Sequence, residues 1–168
     1  VTPTSNLTVT EAGSTDTFTI VLNTQPTASV TIDLSSSDLS EGSVSPTSLT
    51  FTTSDWNQAQ TVTVTGLDDF IDDGDVSFTI FNSVDTSSDP GYSLLNPADV
   101  SVTNIDDDTA GITVTPTSDL TVSESGGTAT FSVVLNTQPT ANVSIDLTSN
   151  DLTEGTVSPA SLTFTATD

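Results

Sequence analysis

The first 55 residues of this chain occur twice, and this internal repeat constrains the fold more than any other feature. Residues 1–55 align without a gap with residues 114–168, and 39 of the 55 aligned positions are identical. Self-similarity at a fixed spacing is the signature of repeated structural units. The 168 residues are therefore predicted to form one module, residues 1–108, and the first half of a second, truncated module, residues 109–168.

Apolar residues alternate with Thr and Ser through most of the first module. Examples are Phe18, Ile20 and Leu22, and later Val62 and Val64. Alternation at period two predicts half-buried strands, and Thr favours strands because it is β-branched. No stretch has the three-and-four spacing of an amphipathic helix. The pattern predicts an all-β protein with almost no helix.

Seven strand candidates, A to G, are separated by turn residues such as Asp, Asn, Gly and Pro. They lie near residues 5–10, 15–23, 29–36, 48–53, 59–67, 76–85 and 98–105. Seven short alternating strands in about 100 residues predict an immunoglobulin-like seven-stranded antiparallel β-sandwich. Trp56, the only Trp, is predicted to anchor the core just before strand E, with ligand stacking as the alternative. The second copy contains only the counterparts of strands A to D.

The charged residues are all acidic, and this excludes several classes of function. The chain has 23 Asp and Glu residues, no Lys, Arg or His, and a net charge of −23. Nucleic-acid binding depends on Lys and Arg, so no nucleic-acid partner is expected. Without Cys, His or Lys, most nucleophilic and general-base catalysis is excluded, and we expect no enzyme. No apolar run approaches the roughly 20 residues of a membrane span, so membrane insertion is not expected.

The acidic residues concentrate at one end of the predicted sandwich. In an antiparallel order, the A–B, C–D and E–F loops share that end with the end of strand G. Eleven acids fall there: Glu11, Asp38, Glu41, Asp68, Asp69, Asp72, Asp73, Asp75, Asp106, Asp107 and Asp108. So many carboxylates would repel one another unless a cation neutralised them. Calcium takes six to eight oxygen ligands in flexible geometry, so the distribution favours calcium, with a solvated cap that serves solubility as the alternative.

Four segments together resemble the Calx-beta domain, a calcium-binding module of sodium–calcium exchangers and of many bacterial surface proteins. They are Thr8-Val9-Thr10-Glu11-Ala12-Gly13, Asp55-Trp56-Asn57 with the strand that follows it, Leu67-Asp68-Asp69-Phe70-Ile71-Asp72-Asp73-Gly74-Asp75, and Asn104-Ile105-Asp106-Asp107-Asp108. The resemblance covers the whole first module and strands A to D of the second. It implies Ca2+ as the bound cofactor.

The resemblance also implies a set of calcium ligands. By position these are Glu11, Asp38, Asp68, Asp69, Asp73, Asp106, Asp107 and Asp108. Asp72, Asp75 and Glu41 are further candidates.

The expected function is that of an extracellular structural repeat in a large bacterial surface protein, adhesin or fibre. The Asp106–Asp108 run leads almost directly into the next copy, so calcium there would stiffen the joint between modules. The expected partners are neighbouring repeats or other copies in a fibre. The alternative is a module that binds a glycan or another surface through Thr rows such as Thr61–Thr65. In that case the acidic pole, the end of the sandwich that carries the eleven acids listed above, would serve only solubility. A hydrolase with paired carboxylates is a weaker alternative.

The half-module is expected to be incomplete by itself. Strands A to D would leave Phe131, Val133 and Phe164 without a facing sheet, and open strand edges invite pairing. We therefore expect either that the chain continues past Asp168 or that another copy supplies the missing strands.

Overall fold

β-Strands make up all of the regular secondary structure in the part of the chain that the computed structural model describes, residues 1–85, 87 and 89–167. Asp168, the last residue of the predicted half-module, lies outside the described residues. The chain divides into two compact units, Val1–Asp69 with Asp73–Asp107, and Phe70–Asp72 with Asp108–Asp168. Among the described residues, no helix has the length and apolar character needed to cross a membrane.

The first unit contains two sheets. Its strands are β1 (Leu7–Thr10), β2 (Thr15–Ile20), β3 (Val30–Ser36), β4 (Gly42–Ser45), β5 (Ser48–Phe51), β6 (Gln60–Gly66), β7 (Val76–Val84) and β8 (Val100–Ile105). One sheet has the order β1-β8-β7-β3-β5 and the other has the order β2-β6-β4. The fold is all-β and immunoglobulin-like, as the alternating pattern predicts.

The core of the first unit lies between the two sheets. Alternate residues of each strand are buried: Phe18 and Ile20 on β2, and Val62 and Val64 on β6, belong to one apolar cluster with residues of the other sheet. Burial of each such side chain contributes roughly 1.5–3 kcal/mol to folding. Trp56 packs against this cluster while partly exposed, which agrees with its predicted role as a core anchor.

Two details of the predicted sandwich are corrected. The described part of the first unit has eight strands rather than seven, because Gly42–Ser45 forms β4 and pairs with β6 before the chain crosses to β5 in the other sheet. The pairing is also not wholly antiparallel, since β1 runs parallel to β8. A four-residue strand carries too little alternation to be separated from a loop, and strand direction depends on partners that are distant in sequence.

The second unit repeats local pairing but not burial. Its strands are β9 (Ile112–Thr115), β10 (Ser132–Leu135), β11 (Val143–Asp146) and β12 (Ser161–Phe164), in two separate two-stranded sheets. Val143 pairs with Phe164 as Val30 pairs with Phe51 in the first copy. No described residue from Asp108 onwards is buried. The reason is that the described part of this unit has no strands corresponding to β6, β7 and β8.

Candidate metal centre

The acidic loops meet because each continues a strand pairing. The amide of Glu11, directly after β1, donates to the carbonyl oxygen of Ile105 at the end of β8 (3.1 Å). The amide of Leu67, directly after β6, donates to the carbonyl oxygen of Glu41 just before β4 (3.0 Å). These bonds bring Glu11 beside the acids that follow β8. They also bring Glu41 beside the acidic loop that follows β6.

Glu11 and Asp106 form the first acidic contact. The Glu11 side chain is only 3% exposed, and the amide of Asp107 donates to its Oε2 (3.3 Å). Burial, with the nearby charges of Asp106 and Asp69, raises the pKa of Glu11 from 4.5 to about 7. Asp106 also accepts a hydrogen bond from the amide of Gly74 in the β6–β7 loop (2.6 Å). Asp106 is therefore held between Glu11 in the β1–β2 loop and Gly74 in the β6–β7 loop.

Glu41, Asp69 and Asp73 form the second acidic group, with one carboxylate oxygen from each lying within 4.8 Å of the others. Glu41 is 5% exposed, whereas Asp69 is half-buried and Asp73 is exposed. Burial, together with the charges of Asp73, Asp38 and Asp69, raises the pKa of Glu41. The charge of Asp69 raises the pKa of both Glu11 and Glu41. The two groups are therefore electrostatically coupled.

A buried amide, Asn104, connects this second group to the sheet. Its Nδ2 donates to Glu41 Oε2 (3.3 Å) and to the carbonyl oxygen of Leu67 (3.0 Å). Asn104 belongs to the Asn104–Asp108 segment, but it is not among the predicted ligands. The alternation of β8 could have indicated that Asn104 is buried. Val100 and Val102 are buried, and position 104 lies on the same face of the strand.

The other predicted ligands lie in different settings. Asp38 is exposed, and bonds from the hydroxyl and amide of Ser40 lower the pKa of Asp38. Asp68 and Asp107 are exposed, and Asp108 is half-buried. Asp75 accepts a hydrogen bond from the Asp106 amide (3.3 Å), while Asp72 belongs to the second unit and accepts one from the Ala110 amide (2.7 Å). As calcium ligands, all of these residues remain predictions.

The acids at the opposite end of the first unit contrast with this arrangement. Asp89 is buried but accepts hydrogen bonds from the amides of Thr27 and Gly91, which lower its pKa. The amide and hydroxyl of Thr52 likewise lower the pKa of Asp55. Those two carboxylates are stabilised by the protein's own donors. Glu11 and Glu41, in contrast, are buried among other carboxylates.

The Glu41 group fits a hard divalent cation. Calcium is bound by oxygen ligands at about 2.3–2.6 Å, so two ligands of one ion lie at most about 5 Å apart. The three carboxylate oxygens satisfy this limit, and the chain offers no cationic side chain that could replace an ion. The donor set is therefore entirely oxygen, as calcium requires.

Comparison with known proteins found no family for this chain and several solved structures of low similarity. No protein-family model matches the chain, and no curated protein matches it. Similar solved structures include CBD12 from CALX1.2 (TM-score 0.47, 19% identity, 64% of this chain and 43% of that chain). They also include the class 5 fimbriae chaperone CfaA (0.46, 6%, 98% and 77%) and a Bacteroides ovatus GH5 xyloglucanase (0.40, 18%, 62% and 18%).

The chain thus spans less than half of CBD12 and less than a fifth of the xyloglucanase. At these identities and TM-scores the likeness concerns the fold alone, and a function does not follow from it.

Proposed function

We propose that the first unit is a non-catalytic, calcium-binding structural module of the Calx-beta type. The observation that carries this proposal is the burial of Glu11 and Glu41 among other carboxylates, with pKa values raised by that burial. A buried carboxylate is costly unless it is protonated, paired or bound to a metal. The chain has no basic side chain for pairing, so the remaining choices are a proton and a cation.

Calcium suits these carboxylates better than magnesium. Magnesium demands a near-ideal octahedron and retains several waters, whereas calcium accepts six to eight oxygens in flexible geometry. The ligands here come from loops and differ in exposure, from buried Glu41 to exposed Asp73. Extracellular calcium modules bind with Kd values of roughly 10⁻⁴–10⁻³ M, which a group of three carboxylates with supporting waters can provide.

The biological role that we propose is an extracellular or cell-surface repeat whose joints are stiffened by calcium. Only a few residues separate Asp106 from the start of the next sequence copy at Val114. An ion held by Asp106 would therefore restrict the segment that links one copy to the next. Small-angle scattering on two complete repeats would test this role, because chelation should then increase the range of conformations.

Thermal unfolding of the whole chain, followed by Trp56 fluorescence in EDTA and in calcium, tests the binding itself. An ion at 100 times its Kd stabilises the folded state by about 2.7 kcal/mol, which raises Tm by on the order of 10 °C for a domain of this size. The double variant Asp69→Asn, Asp73→Asn should lose most of this increase. Identical melting curves of the wild-type chain in EDTA and calcium would contradict the proposal.

A matched control removes the same charge elsewhere. Asp33 on β3 and Asp85 after β7 are both exposed, and neither belongs to a group of acids with metal-like spacing among the described residues. The double variant Asp33→Asn, Asp85→Asn should therefore retain the full calcium response. If both double variants lost the same part of the calcium-dependent rise in Tm, calcium would only screen the net charge. That result would favour the alternative in which the acids are solvated and serve solubility.

A second candidate function is binding of a neutral glycan or surface by the three-stranded sheet. Three Thr–Thr pairs lie in register across β2 and β6: Thr15 with Thr65, Thr17 with Thr63, and Thr19 with Thr61. These side chains are exposed or half-buried, on the opposite face from Phe18 and Val62. They form an uncharged row of hydroxyl groups in a strongly acidic protein. Loss of glycan-array binding in Thr17→Lys would support this candidate, and absence of any binding would exclude it.

A further inference from the structure

We infer that Asn104 is a positioning residue that holds the Glu41 carboxylate and the β6–β7 loop in the arrangement that binds the cation. This inference rests on the proposed calcium-binding function. It assigns to the acidic pole a neutral residue that does not itself bind the metal.

Asn104 occupies a position that the strand pattern reserves for an apolar residue. Val100 and Val102 precede it on the same face of β8 and are fully buried, and Asn104 itself is only 1% exposed. An amide that is buried without hydrogen bonds destabilises the folded state, because it loses its bonds to water. The two bonds made by Nδ2, to Glu41 and to Leu67, offset this cost.

The partners determine which way the amide faces. Nδ2 lies within hydrogen-bond distance of two oxygens, Glu41 Oε2 and the Leu67 carbonyl. The reversed amide would place its oxygen against both of them, which is repulsive. The Oδ1 atom is buried, and no hydrogen bond to it is found among the described residues. The two acceptors of Nδ2, Glu41 Oε2 and the Leu67 carbonyl oxygen, therefore determine the orientation of the Asn104 side chain.

Gly66 makes room for this side chain. A Cβ atom at Gly66 would lie 2.7 Å from Asn104 Oδ1 and 2.3 Å from the carbonyl oxygen of Thr10. Both separations are too short for non-bonded atoms. The end of β6 thus approaches Asn104 as closely as backbone atoms allow.

Asn104 connects two loops that supply predicted ligands. Leu67 already donates its amide to the Glu41 carbonyl oxygen, and Asn104 binds both the Leu67 carbonyl and the Glu41 carboxylate. Asp69 follows Leu67 by two residues. The spacing between the Glu41 and Asp69 oxygens therefore depends on Asn104. Residues that orient metal ligands in this way typically change affinity 10–100-fold when they are replaced.

The test compares Asn104→Val with Asn82→Val in the whole chain. Asn82, on β7, is a close match: it is 2% exposed, its Nδ2 donates to one carbonyl (Ala98, 2.8 Å), and its Oδ1 also has no hydrogen-bond partner among the described residues. None of its bonds reaches an acidic side chain of the candidate metal centre. Valine at position 104 continues the pattern of Val100 and Val102, so the strand should fold.

Calcium titration calorimetry should show affinity lowered about 10–100-fold in Asn104→Val and changed less than about twofold in Asn82→Val. Asn104→Ser, which retains a hydrogen-bond donor, should recover part of the affinity that Asn104→Val loses. A purely space-filling role for Asn104 would make Asn104→Ser no better than Asn104→Val.

The melting temperature in EDTA separates binding from folding. Asn104→Val and Asn82→Val should each lower the melting temperature in EDTA, because each leaves a buried carbonyl oxygen without its amide donor. A loss of calcium affinity in Asn104→Val alone therefore does not follow from the loss of stability. Should Asn104→Val fail to fold, Asn104→Ala provides the same comparison with Asn82→Ala. Unchanged calcium affinity in a folded Asn104 variant would overturn the inference. A wild-type chain that binds no calcium would refute the proposed function first, and the inference with it.

Discussion

The same phenylalanine occurs in both copies of the repeat, and its replacement by alanine should have very different effects. Phe18 on β2 is 1% exposed, whereas its counterpart Phe131, 113 positions later, is 39% exposed. Phe18 packs in the core between two sheets. Phe131 belongs to a unit without a buried residue among those described. The two substitutions remove the same atoms from nearly the same local sequence.

The expected magnitudes follow from the burial. Truncation of a fully buried Phe to Ala costs about 3–5 kcal/mol, because the apolar transfer energy and the energy of the cavity add. For a domain of roughly 100 residues, this loss lowers Tm by on the order of 15 °C or more. Substitutions on exposed surfaces usually change stability by within about 0.5 kcal/mol. Phe131→Ala should therefore leave the first unit almost unchanged.

Trp56 fluorescence is the appropriate probe because this single Trp packs against the core of the first unit. Melting curves are recorded in EDTA at constant pH, so that bound metal does not contribute. Phe18→Ala should show the large decrease, and Phe131→Ala should superimpose on the wild-type curve. Equal decreases in the two variants would refute the reasoning, since burial would then not be what distinguishes the two copies.

Three further predictions concern pH, close packing and the exposed unit. The pKa of Glu11 is raised from 4.5 to about 7, so between these pH values the metal-free folded state binds a proton that the unfolded state does not. Its Tm in EDTA should therefore fall as pH rises from 5 to 7.5. Glu11→Gln should make Tm less dependent on pH. Gly42→Ala should strongly destabilise the first unit, because the added Cβ would lie 2.3 Å from a buried phenylalanine ring. At its counterpart Gly155, an added Cβ would meet nothing within 4 Å. Chemical denaturation should therefore give Gly155→Ala the same free energy of unfolding as the wild-type chain. A second copy of residues 56–108 appended after Asp168 should complete the second sandwich and protect the amides around Phe131 from hydrogen exchange. Unchanged exchange would contradict the expectation that these strands complete the half-module.

The positions of the acidic loops could be predicted from the sequence, but the directions of their side chains could not. The strand pattern correctly placed the loops that carry Glu11 and the 67–75 acids near the end of β8. The resemblance implied Asp38 as a ligand and gave Glu41, three residues later, only as a further candidate, whereas the structure brings Glu41 together with Asp69 and Asp73. Asp38 directs its carboxylate to Ser40, whereas Glu41 turns inward and contacts Asn104. Side-chain direction in an irregular loop depends on what packs over it, and periodicity carries no information there.

The repeat, the all-β class and the residues that alternate toward a core could all be predicted from the sequence. These are local properties, because a strand places successive side chains on opposite faces whatever its partners are. Other features depend on contacts between distant segments and appear only in the folded chain: β1 runs parallel to β8, β4 pairs with β6, and Asn104 joins two distant loops. The apolar residues of nearly the same 55-residue sequence form a buried core in the first unit, whereas none of the described counterparts in the second unit is buried. The physical reason is that burial requires a second surface, and in the first unit the strands β6, β7 and β8 provide it.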